Sequence, residues 1–152
     1  MRVKICGVTR PEDAQAAVAA GADALGFVFA PRSRRVLDTE RAAGLVRGVP
    51  AFVCRVGLFM DQDFEEIRGI LDRVPLNLLQ FHGSEDPAFC RRFGLPYIKA
   101  LAMGSVPSLQ RAQHEFADAA ALLLDSHRSG ETGGTGQTFD WSDVPSLDLP
   151  VV

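Results

Sequence analysis

Val3-Lys-Ile-Cys-Gly-Val-Thr-Arg-Pro-Glu12, followed after an alanine-rich stretch by Gly21-Ala-Asp-Ala-Leu-Gly-Phe-Val-Phe29, is the part of the sequence whose reading decides the fold. The runs Val3 to Ile5 and Ala24 to Phe29 are short, apolar and β-rich. A strand buried on both faces reads as such a near-continuous run, whereas a half-solvated strand alternates. Between the two runs, Thr9-Arg-Pro-Glu12 has the spacing of a capping box, with Pro11 in the first turn, and Gly21 stands where a helix would stop. Strand, helix, strand is the reading, and parallel strands are what a helical crossover joins.

The same unit repeats outward. Further strand-like runs lie at Phe52 to Phe59, Leu78 to Phe81, Tyr97 to Leu101 and Leu122 to Leu124. Asp61 or Asp63 can cap a helix whose apolar stripe is Phe64, Ile67, Ile70, Leu71 and Val74, at three- and four-residue spacing. Ser84, before Glu85-Asp-Pro87, is placed to open a fourth helix, and a fifth spans about Ser108 to Phe116. After the sixth run comes the polar, glycine-rich stretch Asp125 to Thr138, and Leu149-Pro-Val-Val152 reads as the start of a seventh strand. Strands begin about every 25 residues, so an eight-stranded barrel needs roughly 200 residues. The expectation is an α/β fold of the (β/α)8 TIM-barrel type, incomplete over residues 1–152, with about six βα units in a single partial domain.

Alternating strands and helices also fit an open doubly wound sheet. Two features favour the barrel. Polar or reactive residues follow several different strand ends (Cys6, Arg35, Asp61, His82, Asp125), where barrel enzymes keep their chemistry. The first turn also lacks the G-x-G-x-x-G of a dinucleotide fold.

Sixteen basic against nineteen acidic residues, a net charge of -3, leave no basic field for a nucleic acid. Cys6, Cys54 and Cys90 form no CxxC pair, which suits a reducing compartment better than a disulfide framework or a zinc site. With no apolar stretch of signal-peptide or membrane-spanning type, the sequence suggests a cytoplasmic protein without a membrane partner. It leaves the oligomeric state open.

Val3-Lys-Ile-Cys-Gly7 and Gly21 to Phe29 resemble the opening of the phosphoribosylanthranilate isomerases. Pro31-Arg-Ser-Arg-Arg35, Arg55-Val-Gly-Leu-Phe59, Leu79-Gln-Phe-His-Gly83, Ile98-Lys-Ala100, and Leu123-Leu-Asp125 with Gly133-Gly-Thr-Gly-Gln-Thr-Phe-Asp-Trp141 match the family in order. The family's phosphate-binding turns after strands seven and eight have no counterpart within these residues. The resemblance implies a step of tryptophan biosynthesis, an Amadori rearrangement of a phosphorylated aminoaldose, which needs an acid and a base but no metal or other cofactor.

On that resemblance Cys6 is the expected base, although a lone cysteine after an apolar strand is ordinarily a small buried hydrophobe. A base needs the thiolate, which a nearby cation favours. Cys54 and Cys90 stay structural. Asp125, directly after Leu122-Leu-Leu124, matches the acid position, and partial desolvation would help it hold a proton. Arg35 is expected to take the aromatic carboxylate with its guanidinium fork, while Arg32 or Arg34 is a solvated loop residue. Gln80, His82, Gly133 and Gly134 complete the expected substrate-binding set, His82 in a binding and not a catalytic role. His114 and His127 default to the surface. Gly130 to Thr138 reads as a lid, since Gln137 stands where a P-loop would need lysine.

Two other readings compete with a catalytic isomerase. One is a truncated, non-catalytic fragment of such an enzyme, with little activity alone and a tendency to associate through unpaired strand edges. The other is an open-sheet sugar-phosphate-binding domain.

Overall fold

The computed structural model of the chain describes residues 1–103, 108–126, 140, 142 and 144–152. Six strands, β1 (Lys4–Cys6), β2 (Ala24–Val28), β3 (Cys54–Phe59), β4 (Leu78–Phe81), β5 (Tyr97–Ala102) and β6 (Ala121–Asp125), alternate with five helices. The helices are α1 (Pro11–Ala19), α2 (Thr39–Arg47), α3 (Phe64–Leu71), α4 (Pro87–Arg91) and α5 (Leu109–Glu115). Every neighbouring pair is parallel, and the order in the sheet is the order in the chain, β1 to β6. A doubly wound sheet reverses its strand order at a switch point so that helices cover both faces. An unreversed order puts all right-handed crossovers on one face and leaves the other to curl inward, which is the arc of a barrel.

The two faces differ accordingly. Leu25, Phe27, Phe59, Leu79, Phe81, Leu122 and Leu124 are buried in one core cluster with Ala42 and Val46 of α2, Ile67 and Ile70 of α3, and Cys90 of α4. Phe81 packs on Phe59, Phe89, Phe93 and Tyr97, and Phe29 stacks on Phe59 at 5.3 Å between ring centres. Burying a phenylalanine of this kind is worth about 1.5–3 kcal/mol. The other face, reached by alternate residues of each strand, carries Lys4, Cys6, Gln80 and Asp125.

The strand positions match the expectation to within two residues. The start of a seventh strand is also present: Leu122 pairs in parallel with Val151, and the Leu122 and Leu124 N–H groups donate to the carbonyls of Pro150 and Val152. Gly21 ends α1's turn at φ +89°, a conformation glycine adopts without cost. Two expected caps are not formed. The N-cap of α1 is Arg10, one residue past Thr9, so Thr9 and Glu12 are out of register for a capping box; the Arg10 guanidinium, which has no acceptor for a helix N–H, pairs with Asp13. At α4 the cap is Asp86, with Pro87 as the first helical residue, because Ser84 is drawn away to Asp61. Asp63, not Asp61, caps α3, and Ser108 caps α5. Among the described residues no helix is long and apolar enough to cross a membrane.

Candidate active site

At the C-terminal end of β1 the chain turns at Gly7, with φ +82°. The Cys6 side chain lies over Gly26, its register partner on β2. Arg35 reaches this point from the β2–α2 connection. That loop is drawn back to the sheet by the Val28–Val36 bridge and by Leu37 N–H donating to Val28 at 2.8 Å. Arg35 Nη1 then donates to the Cys6 carbonyl at 2.6 Å, and the guanidinium covers the bare α-carbon of Gly7. Arg32 and Arg34 are exposed.

Across the sheet, register carries Cys6 to Gly26, Val56 and Leu78, and Gln80 to Ile98 and Ala121, with Ala102 opposite Asp125. Side chains two apart along a strand share a face. Cys6, Gln80 and Asp125 therefore share the inner face, and Cys6 and Asp125 are the last residues of β1 and β6. His82, just past β4, brings Nε2 to 3.3 Å from Asp125 Oδ2, with the two side chains 12% and 22% exposed. Both are thus partly desolvated yet open to a ligand. Gln80, only 1% exposed, accepts from Lys4 Nζ at 2.6 Å and sets its amide nitrogen 3.2 Å from His82 Nδ1.

The turn holding His82 is fixed from the helix side. Lys99, on β5, donates to the Gly83 carbonyl at 2.5 Å and to Glu85 Oε2 at 2.9 Å, in an ion pair with both side chains at most 5% exposed. Glu85 also accepts from the Asp61 and Gly83 N–H groups. Asp61, at φ +54°, accepts from the hydroxyl and the N–H of Ser84, and these bonds hold its carboxyl below the usual value. A side chain at Gly83 would overlap the Asp61 carboxylate, so the close approach requires glycine.

Sequence reading brought out Cys6, Arg35, His82 and Asp125; the fold sets Cys6, His82 and Asp125 at strand ends and brings Arg35 to the end of β1 from the β2–α2 loop. It overlooked Lys4, Glu85 and Lys99. The signal was a lysine inside an otherwise apolar strand, as in Val3-Lys-Ile5 and Ile98-Lys-Ala100. Cys54 lies in β3 and Cys90 in α4, where burial pushes the Cys90 thiol up to about 12, a poor nucleophile. His114 is exposed at the end of α5. Gly133, Gly134, His127 and the Gly130 to Thr138 stretch lie outside the described residues.

Residues 3–150 match the family model described as N-(5'phosphoribosyl)anthranilate (PRA) isomerase. The N-(5'-phosphoribosyl)anthranilate isomerase of Acidithiobacillus ferrooxidans is 47% identical over 152 residues, all of this chain and 74% of the relative. The crystal structure of the Thermotoga maritima phosphoribosyl anthranilate isomerase superposes with a TM-score of 0.82 at 41% identity, over 93% of this chain and 69% of that one. A crystal structure of a phosphoribosyl anthranilate isomerase in complex with reduced 1-(o-carboxyphenylamino)-1-deoxyribulose 5-phosphate matches with a TM-score of 0.70 at 38% identity. The overlap there covers 82% of this chain and 64% of the other, so the chain spans between about two thirds and three quarters of the proteins it matches. By family model, by sequence and by its arc of parallel strands, this chain belongs to the N-(5'-phosphoribosyl)anthranilate isomerase family, enzymes of tryptophan biosynthesis with a TIM-barrel fold.

Proposed function

We propose that this chain supplies the base, Cys6, and the acid, Asp125, for isomerisation of N-(5'-phosphoribosyl)anthranilate to 1-(2-carboxyphenylamino)-1-deoxyribulose 5-phosphate. The observation that carries the reading is their placement as the last residues of β1 and β6 on one inner face, in a chain of this family. The reading is supported by a relative whose crystal structure is a complex with reduced 1-(o-carboxyphenylamino)-1-deoxyribulose 5-phosphate.

In the proposed reaction the anilinic nitrogen's lone pair expels the ribose ring oxygen as its bond to C1 breaks, and Asp125 protonates that oxygen. The Cys6 thiolate removes the C2 proton, and the C2–H electrons form a C1–C2 double bond and neutralise the iminium nitrogen. The enolamine then loses its O2 proton and gains one at C1. No atom is gained or lost. Arg35 keeps guanidinium N–H groups beyond the one bound at Cys6 and supplies them to the anthranilate carboxylate. His82 binds beside the acid. Gly133 and Gly134 are assigned to the substrate on the family resemblance alone, and a cytoplasmic location is proposed because a reducing compartment suits three free cysteines.

The test is fluorescence-monitored turnover in this chain joined to the C-terminal quarter of the Acidithiobacillus relative, so that all eight βα units are present. Cys6→Ala and Asp125→Asn should each lower kcat by roughly 10²- to 10⁴-fold, the usual worth of one positioned acid or base. Near-normal turnover by Cys6→Ala would falsify the base assignment.

A further inference from the structure

Lys4, Gln80, His82 and Asp125 follow one another in contact across the inner face, from β1 through β4 to β6, at 2.6, 3.2 and 3.3 Å. Each group's donor and acceptor inventory fixes the next. A lysine ammonium carries only donors, so the Gln80 atom it meets at 2.6 Å must be the amide oxygen. The amide nitrogen then faces His82 Nδ1, and an NH₂ group has only donors to offer. Nδ1 must therefore present its lone pair, and the proton of the neutral ring sits on Nε2, the nitrogen beside Asp125. An isolated glutamine could be turned end for end, and an isolated histidine could hold either tautomer. Here a cation at one end of the row removes both choices.

We propose that Lys4 and Gln80 are positioning residues that hold His82 as its Nε2–H tautomer, so that a neutral N–H faces the Asp125 carboxyl. This rests on the acid role of Asp125 proposed above. When Asp125 gives its proton to the ribose ring oxygen, one O–H bond breaks as another forms and a carboxylate is left. An Nε2–H 3.3 Å from Asp125 Oδ2 favours that negative charge electrostatically, whereas the other tautomer would set a lone pair against it. Gln80, expected from the sequence to meet the substrate, also acts through His82 in this proposal. It is buried, and both ends of its amide are engaged within the protein.

Ring-¹⁵N spectra of the 152-residue chain report the tautomer directly, and with three histidines in the sequence His82 is identified by its loss in His82→Asn. The neutral ring should show Nε2 protonated. In Lys4→Met, Gln80 is free to turn and offer its oxygen, so Nδ1–H should become populated. Lys4→Arg, again a cation with donors only, should restore Nε2–H. In the eight-unit chain, Lys4→Met should lower kcat roughly 10- to 100-fold, as expected for a misplaced catalytic group, with KM unchanged. A merely structural Lys4 would lower the melting temperature without moving the tautomer. The proposal is overturned by an Nδ1–H tautomer in the unsubstituted chain, or by Lys4→Met leaving tautomer and kcat as they were. Failure of the acid assignment reads differently: Asp125→Asn would retain turnover while the His82 tautomer still followed residue 4.

Discussion

The sulfur of Cys6 lies against the α-carbon of Gly26, its parallel partner on β2, and a β-carbon at position 26 would stand 2.9 Å from Sγ. Real β-carbons do not approach sulfur so closely, so Gly26 sets the space in which the thiol turns toward the barrel mouth. Gly26→Ala should displace the thiol and lower kcat by roughly 10- to 100-fold, since small misplacements of reacting groups carry penalties of that size. Steady-state kinetics beside a melting curve checks this. Unchanged kcat in a folded variant would mean that the thiol's position is not limiting.

Arg35 is tied to the Cys6 carbonyl and packed over Gly7, so the arginine and the thiol are held by one turn. Arg35→Lys keeps the charge but loses the planar fork. KM for phosphoribosylanthranilate should rise about tenfold or more, with a smaller change in kcat. Equal KM values for the two proteins would remove Arg35 from carboxylate binding.

The Lys99–Glu85 pair is buried and ties the β4 turn to β5. Lys99→Met leaves the Glu85 carboxylate buried without its cation, at a cost of about 3–5 kcal/mol. Lys99→Met with Glu85→Gln should recover part of that loss, because the uncompensated charge is gone. Urea unfolding of the three proteins measures both differences, and equal midpoints for Lys99→Met and the parent chain would show that the pair is not a fixed part of the folded state.

The two bonds from Ser84 hold the Asp61 carboxyl below its usual value. A depressed carboxyl in the folded state contributes stability that is fully present above its ordinary value of about 3.9 and is lost as pH falls through the folded value. Ser84→Ala removes the hydroxyl donor and should move the Asp61 titration midpoint back toward that ordinary value. Carboxyl ¹³C titration reads the midpoint, and the same midpoint in both proteins would show that the hydroxyl is not its cause.

The sequence by itself determined the six strands, the seventh beginning at Leu149-Pro-Val-Val152, and the candidates Cys6, Arg35, His82 and Asp125. A strand buried on both faces must be nearly all apolar wherever its neighbours lie, so Ala24 to Phe29 or Leu122 to Leu124 is legible alone. A polar residue that breaks off such a run marks the strand end, which in a barrel is the mouth. Local detail hid the caps: α1 begins one residue after the register Thr9 needed, and Ser84 bonds Asp61 while Asp86 caps α4. Only the tertiary structure decided that Lys4 meets Gln80, 76 residues away. Alternation along a strand says which side chains share a face, but strands one and four are not sheet neighbours. Their side chains meet only because an unreversed parallel sheet curls on itself, and that curvature belongs to the assembled sheet and to no single strand.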